Sequence, residues 1–351
     1  MSDGKIRISI YCFSGYNDEK DTYSKILRIS EHADRLGLDS VWLPERHFQR
    51  FGGHHPNPTV LAAAIAAKTE KINIRAGSLV APLHHPIRIV EDWSLVDCLS
   101  NGRVGIAFGS GWHTRDFVIQ PDNYSIRKEV LDNCIDTVKS LWERKKVIFK
   151  NIHGHNTSIE TYPRPIQEKI PMWLTTSGNL KTWEKAANND MSIFCSLIGQ
   201  EFSDIERNIV NYKSKYNLHV DGNGQGGLVS LMVHCHIGKS NEESWNEIKE
   251  PLSKYILSNL QQIRSMEIEG ETNDYKNKSD EELIQISKYA AKKYFHRSSM
   301  IGDYEKCLSI SEKFRDIGVD EIVCLVDFGV DLDSILATIE KLAKIHNHLN
   351  R

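Results

Sequence analysis

The chain has 351 residues, is 40% hydrophobic, and carries 44 Lys+Arg against 47 Asp+Glu. That length can bury a large core as one α/β barrel domain spanning 1–351, and the near-cancelled charge, with no basic run or tail, argues against nucleic acid as a partner. The start Met1-Ser2-Asp3-Gly4-Lys5 leads straight into an apolar strand without the pattern of a secretion signal. No apolar stretch nears the ~20 residues needed to cross a bilayer, so a cytoplasmic protein independent of membranes is expected.

Seven cysteines are scattered without a C-x-x-C pair and read as reduced core thiols. Runs rich in branched and aromatic residues fall at 6–13, 40–44, 72–80, 104–109, 172–176, 192–197, 228–237 and 321–328. Amphipathic helical patterns separate them, such as Ile26, Ile29, Ala33 and Leu36 before Gly37, or Leu131, Cys134, Val138 and Leu141. Eight strands alternating with helices predict a (β/α)8 barrel. Two insertions interrupt the alternation. The one after strand 4, at 147–165, reads as a hairpin around Asn151-Ile152-His153-Gly154-His155-Asn156. The other, a polar aperiodic stretch at about 265–280 after strand 7 and a helix, is either a mobile lid over the barrel mouth or a disordered surface insertion.

Polar, glycine and aromatic residues gather just after three successive strands, at Glu45-Arg46-His47-Phe48, at Ala76-Gly77-Ser78 through His84-His85-Pro86, and at Gly109-Ser110-Gly111-Trp112-His113. In a parallel barrel such positions share one mouth, where barrel enzymes hold their chemistry. His234 and His236 would share one strand face, but without a carboxylate motif nearby they do not read as a metal site. Gly238-Lys239-Ser240 lacks the first glycine of a P-loop, since Val233 stands there.

On these blocks, with Asn57-Pro58, Glu91-Asp92-Trp93 and Ser100-Asn101-Gly102-Arg103, the chain resembles the bacterial-luciferase-like flavin-dependent monooxygenases nearly end to end. Within them it is most similar to the branch found in nonribosomal peptide and polyketide biosynthesis. The resemblance implies a homodimeric barrel that binds reduced FMN from a separate flavin reductase. Oxygen then forms a flavin peroxide that oxygenates a small-molecule or carrier-protein-tethered substrate. Two rival readings are a deazaflavin-dependent hydride-transfer oxidoreductase and a non-catalytic flavin-binding protein.

The resemblance also distributes roles. Ala76, Gly77 and Ser78 would let the backbone approach the flavin, supported by a non-prolyl cis bond near Ser78-Leu79-Val80. Gly109, Ser110 and Gly111 would donate to flavin carbonyls or phosphate, and Trp112 would border the flavin. Thr176, Ser177 and Gly178 would form a phosphate site at a helix N-terminus, or merely cap that helix. Arg127 is a candidate phosphate partner or a solvent-facing side chain. Glu45, Arg46 and His47 are the candidate catalytic group, although Arg46 replaces the catalytic histidine of luciferase and His47 could instead satisfy a buried hydrogen bond. Phe48, His84 and His113 would border substrate or lid, with helix capping as the alternative for His84-His85-Pro86 and Trp112-His113.

Overall fold

Short runs dominated by Ile, Val, Leu, Trp and Phe give strands buried on both faces, as a parallel sheet wrapped by helices requires. In the computed structural model, which describes residues 5–15, 21–48, 52–219, 226–265, 274–297 and 299–351, eleven strands form. They are β1 (Arg7–Tyr11), β2 (Ser40–Leu43), β3 (Asn73–Val80), β4 (Val104–Gly109), β5 (Val147–Lys150), β6 (Asn156–Ile159), β7 (Met172–Thr176), β8 (Ser192–Ser196), β9 (Val229–Ile237), β10 (Met300–Gly302) and β11 (Glu321–Leu325). The helices are α1 (Thr22–Arg35), α2 (Pro58–Ala66), α3 (Pro86–Ser100), α4 (Arg127–Trp142), α5 (Leu180–Asn188), α6 (Phe202–His219), α7 (Asn241–Ser265), α8 (Asp280–Arg297), α9 (Tyr304–Asp316) and α10 (Leu332–Leu349).

Parallel pairing runs β1-β2-β3-β4-β7-β8-β9-β11 and closes from β11 back to β1, giving the expected eight-stranded barrel. All eight strands lie where the residue pattern places them. The hairpin is also present: β5 and β6 pair antiparallel, and Asn151 accepts from the N–H groups of His153 and His155 to set its turn. One short strand is unforeseen. β10 has three residues and pairs with the far end of β9, a length that leaves no periodic trace in sequence. Of the expected lid, residues 266–273 lie outside the described residues. Just beyond them, Arg264 at the end of α7 donates to the Lys278 carbonyl and pairs with Asp280.

The barrel floor is built around one buried carboxylate. Glu321 accepts from the Ser9 and Ser40 hydroxyls and the Trp42 indole on Oε1, and from Ser230 and Arg75 on Oε2. Arg75 spans 2.9 Å to Glu321 and 3.1 Å to Asp39, with its guanidinium over the rings of Trp42 and Trp173. Burial opposes the Glu321 charge, but Arg75 and the converging hydroxyls outweigh it and lower the pKa below its ordinary value. Above this layer Trp42 and Tyr11 each stack on Phe194. The bottom is therefore solid, and among the described residues some of the buried polar side chains without a hydrogen-bond partner, such as Thr175 and Ser196, sit at the carboxyl ends of the strands.

Candidate active site

Glu45, just beyond β2, joins three segments of the mouth. Its Oε2 accepts from the Val80 N–H at 2.7 Å, while Oε1 accepts from Nε2 of His47 at 2.8 Å and of His84 at 2.7 Å. The Glu45 N–H in turn donates to the Ser78 carbonyl. Burial would raise the Glu45 pKa, but the His47, His84 and Val80 bonds prevail and hold it below the ordinary value. At His47 burial favours the neutral ring, yet Glu45, with a smaller contribution from Asp116, raises the pKa above its usual value. The result is a fixed carboxylate that holds an imidazole and favours its protonated form.

Next to this hub lies the end of β3. The peptide joining Gly77 to Ser78 is cis, a non-prolyl cis bond at the start of the expected segment. Its Gly77 carbonyl accepts from the Tyr11 hydroxyl at 2.7 Å. A Cβ on Gly77 would come within 2.8 Å of the Trp42 ring, and one on Gly109 within 2.9 Å of Ser78 Oγ. Glycine at these two places is needed because Trp42 and Ser78 already occupy the space a side chain would fill.

After β4, Ser110 and Gly111 are half-buried, Trp112 is 48% exposed, and His113 is buried with neither ring nitrogen hydrogen-bonded. Asp116 lies 3.6 Å from His113 Nδ1. Arg127, at the first turn of α4, lies over the Tyr124 ring and donates to the Tyr124 carbonyl. Beyond β7 the Thr176 hydroxyl accepts from the Gly178 N–H, Ser177 is exposed, and Asn179 caps α5 by accepting from the Lys181 N–H. The capping reading is thus present in this turn, through Asn179. The Thr175 and Ser196 hydroxyls, on the carboxyl ends of β7 and β8, are buried without partners.

Arg46 places its guanidinium over the Phe13 ring at 4.7 Å, and its Nε is buried without a partner. Phe48 is 51% exposed, with its ring near that of His47. His85 caps α3, whereas His84 turns to Glu45. His234 and His236 part company: His236 bonds to Glu247, and His234 sits among Tyr255, Tyr294 and Phe328.

Residues 7–321 match the sequence pattern of the family described as luciferase-like monooxygenase. The chain belongs to that family. Membership places it among flavin-dependent monooxygenases. One curated relative, the oxygenase component of flavin-dependent trigonelline monooxygenase from Acinetobacter baylyi, is 22% identical over 339 residues, covering 94% of this chain and 90% of its own. Among solved structures, the oxygenating constituent of 3,6-diketocamphane monooxygenase from Pseudomonas putida, in complex with FMN, aligns with TM-score 0.76 at 13% identity over 99% of both chains. An F420-dependent secondary alcohol dehydrogenase aligns with TM-score 0.68 at 15% identity, over 96% of this chain and 98% of its own. At these identities the two structures show the shared fold.

For this luciferase-like monooxygenase the mouth fits a flat, hydrogen-bonding cofactor. Two glycines let the ends of β3 and β4 pack closely against Trp42 and Ser78, and the buried atoms Thr175 Oγ1, Ser196 Oγ and both nitrogens of His113 make no hydrogen bond. Buried polar atoms left unpaired cost free energy, so their gathering at one mouth points to a ligand that satisfies them. Thr175 belongs to the loop expected from sequence to hold the phosphate, whereas Tyr11 and Ser196 were missed as members of this rim. Alternation along β8 places Ser196 on the inward face, and that was the available signal.

Proposed function

We propose that this chain is the oxygenase of a two-component system, using reduced FMN from a separate flavin reductase, and molecular oxygen, to hydroxylate a natural-product intermediate that a carrier protein can present. The observation that carries the reading is Glu45 bound to His47 and His84 beside the glycine-lined ends of β3 and β4. Gly77, Ser78, Gly109, Ser110 and Gly111 would face the flavin ring, and Thr176, Ser177 and Gly178 its phosphate, with Arg127 as a further charge, while Ala76, expected there from sequence, is fully buried on the opposite face of β3. When bound, the flavin supplies oxygen activation.

The protein's own work is to orient and to manage protons. His47 holds a proton on its ring against Glu45 and delivers or recovers it at the reacting centre. Glu45 positions that imidazole, and the buried rim around His113 and Phe117 limits access of water. Replacing His47 with Asn is expected to lower kcat roughly a hundredfold, the usual worth of a positioned proton donor, while FMN affinity changes little. Steady-state rates beside a flavin titration check this; an unchanged kcat would remove His47 from the mechanism.

The same reading includes a homodimer. α2 exposes Val60 and Ala64, and α3 exposes Leu95 and Leu99, so two neighbouring helices are apolar on their outer as well as their inner faces. Such helices are normally covered. A Val60→Glu, Leu95→Glu double substitution should sediment as a monomer where the parent sediments as a dimer.

Reconstitution decides the chemistry. The chain is mixed anaerobically with reduced FMN or a reduced deazaflavin, then with air and a panel of carrier-bound acyl groups. A gain of one oxygen atom with FMN alone supports the proposal. Oxygen-independent reduction with the deazaflavin alone would replace it by hydride transfer, and cofactor binding with no turnover by a flavin-holding role.

A further inference from the structure

We infer that Tyr11 is a positioning residue of the cofactor site: its hydroxyl fixes the irregular end of β3 from inside the barrel, so that Ser78 and its main chain are presented to the flat ring system of a flavin. The inference rests on the flavin reading of the mouth and adds to it a residue from a different strand.

The end of β3 departs from a regular strand. Its register against β4 pairs Gly77 with Ala107 and Leu79 with Phe108, so Ser78 is an extra residue with none opposite it. Such a bulge re-aims the chain and takes main-chain groups out of the ladder, and those groups need other partners. Among the described residues, three bonds supply them. The Glu45 N–H donates to the Ser78 carbonyl, and the Glu45 carboxylate accepts from the Val80 N–H. The Tyr11 hydroxyl donates to the Gly77 carbonyl at 2.7 Å. Glu45 thus holds the chain after Ser78, and Tyr11 holds it before.

The surroundings of Tyr11 fit it for this task. It ends β1 opposite Trp42 and reaches across β2 to β3. Its ring is stacked on Phe194 of β8, with centroids 6.1 Å and planes 12° apart. A Cβ on Gly77 would come within 3.2 Å of the Tyr11 ring, so the missing side chain is what lets the ring seat against this backbone. Burial holds the Tyr11 pKa well above its ordinary value, and the hydroxyl stays a donor throughout the working range. Packing and hydrogen bond are separable here. Phenylalanine would keep the stack on Phe194 and delete only the donor, leaving the Gly77 carbonyl unpaired and the bulge free to shift where the ring of the cofactor would lie.

The test is fluorescence titration of the full chain with FMN, riboflavin and a deazaflavin, with the visible circular dichroism of the bound ring and the melting temperature recorded for each variant. Tyr11→Phe should weaken FMN and riboflavin by the same factor, roughly tenfold, and alter the circular dichroism, since the effect falls on the ring. Tyr212→Phe is the control. Its hydroxyl donates to the Met191 carbonyl at 2.6 Å, an equally buried bond at the amino end of β8. That variant should lower the melting temperature as Tyr11→Phe does while leaving flavin affinity and dichroism at parental values. Parental affinity and dichroism in Tyr11→Phe, a loss confined to FMN, or an equal loss in Tyr212→Phe would overturn the inference and leave the flavin reading standing. A parent that binds only the deazaflavin, with Tyr11→Phe weakening it by a similar factor, would uphold the inference and refute FMN. A parent that binds none of the three would overturn both.

Discussion

Replacing Glu321 with Gln is expected to lower the unfolding free energy by about 3–5 kcal/mol, the usual cost of breaking a buried ion pair from one side. The cause is the number of donors that meet there. Ser9, Ser40, Trp42, Ser230 and Arg75 all aim at this one carboxylate. An amide presents one oxygen and turns an NH2 toward donors, so at least two buried N–H or O–H groups lose their acceptor while Arg75 keeps only Asp39. A buried pair can sometimes be exchanged for apolar residues without loss, but not here. Arg75→Met with Glu321→Met would still strand the Ser9 and Ser230 hydroxyls and the Trp42 indole in a dry core, so the double variant should be no more stable than Glu321→Gln. Urea unfolding of the parent and the variants measures both effects. A double variant as stable as the parent would show that the floor is held by packing alone.

Replacing Glu45 with Ala should remove activity by roughly a thousandfold, more than loss of His47 alone, because it frees two imidazoles at once. It should also destabilise the fold by about 2–4 kcal/mol through the stranded Val80 N–H and the loss of two charge-assisted bonds. The pH dependence has a definite sign. The folded-state pKa of Glu45 lies below its ordinary value of 4.5, so its stabilisation is present above that value and disappears as pH falls through the lowered pKa. His47 has a pKa raised above 6.5, so its share is complete below 6.5 and fades as pH climbs past the raised value. The stability gap between the parent and Glu45→Gln should therefore be widest between these limits and narrow at both ends. A gap constant with pH would show that the carboxylate is not ionically coupled to His47.

The strands were legible because each is a short apolar run bounded by turn residues, and the hairpin because Asn151 and Gly154 mark its turn. Closure of the barrel followed from counting eight. The floor was not legible: Arg75 and Glu321 lie 246 positions apart, each inside an ordinary strand pattern, and nothing local marks a charge as inward-facing. At the mouth, the segment holding Glu45 and His47 announced itself by its density of polar residues. Its partner His84 was expected to border substrate or lid, and the helix cap expected of the His84-His85-Pro86 segment is supplied by His85. Arg127 is adjacent to the mouth in sequence, but its stacking on Tyr124 depends on a side-chain conformation that spacing cannot specify.

The most direct test of the account is a crystal structure of the full chain with FMN. The account predicts the isoalloxazine against Gly77, Ser78 and Gly109, with the phosphate within hydrogen-bonding distance of Thr176, Ser177 and Gly178. FMN bound outside the barrel mouth, or a mouth closed by its own side chains in the presence of saturating FMN, would contradict it.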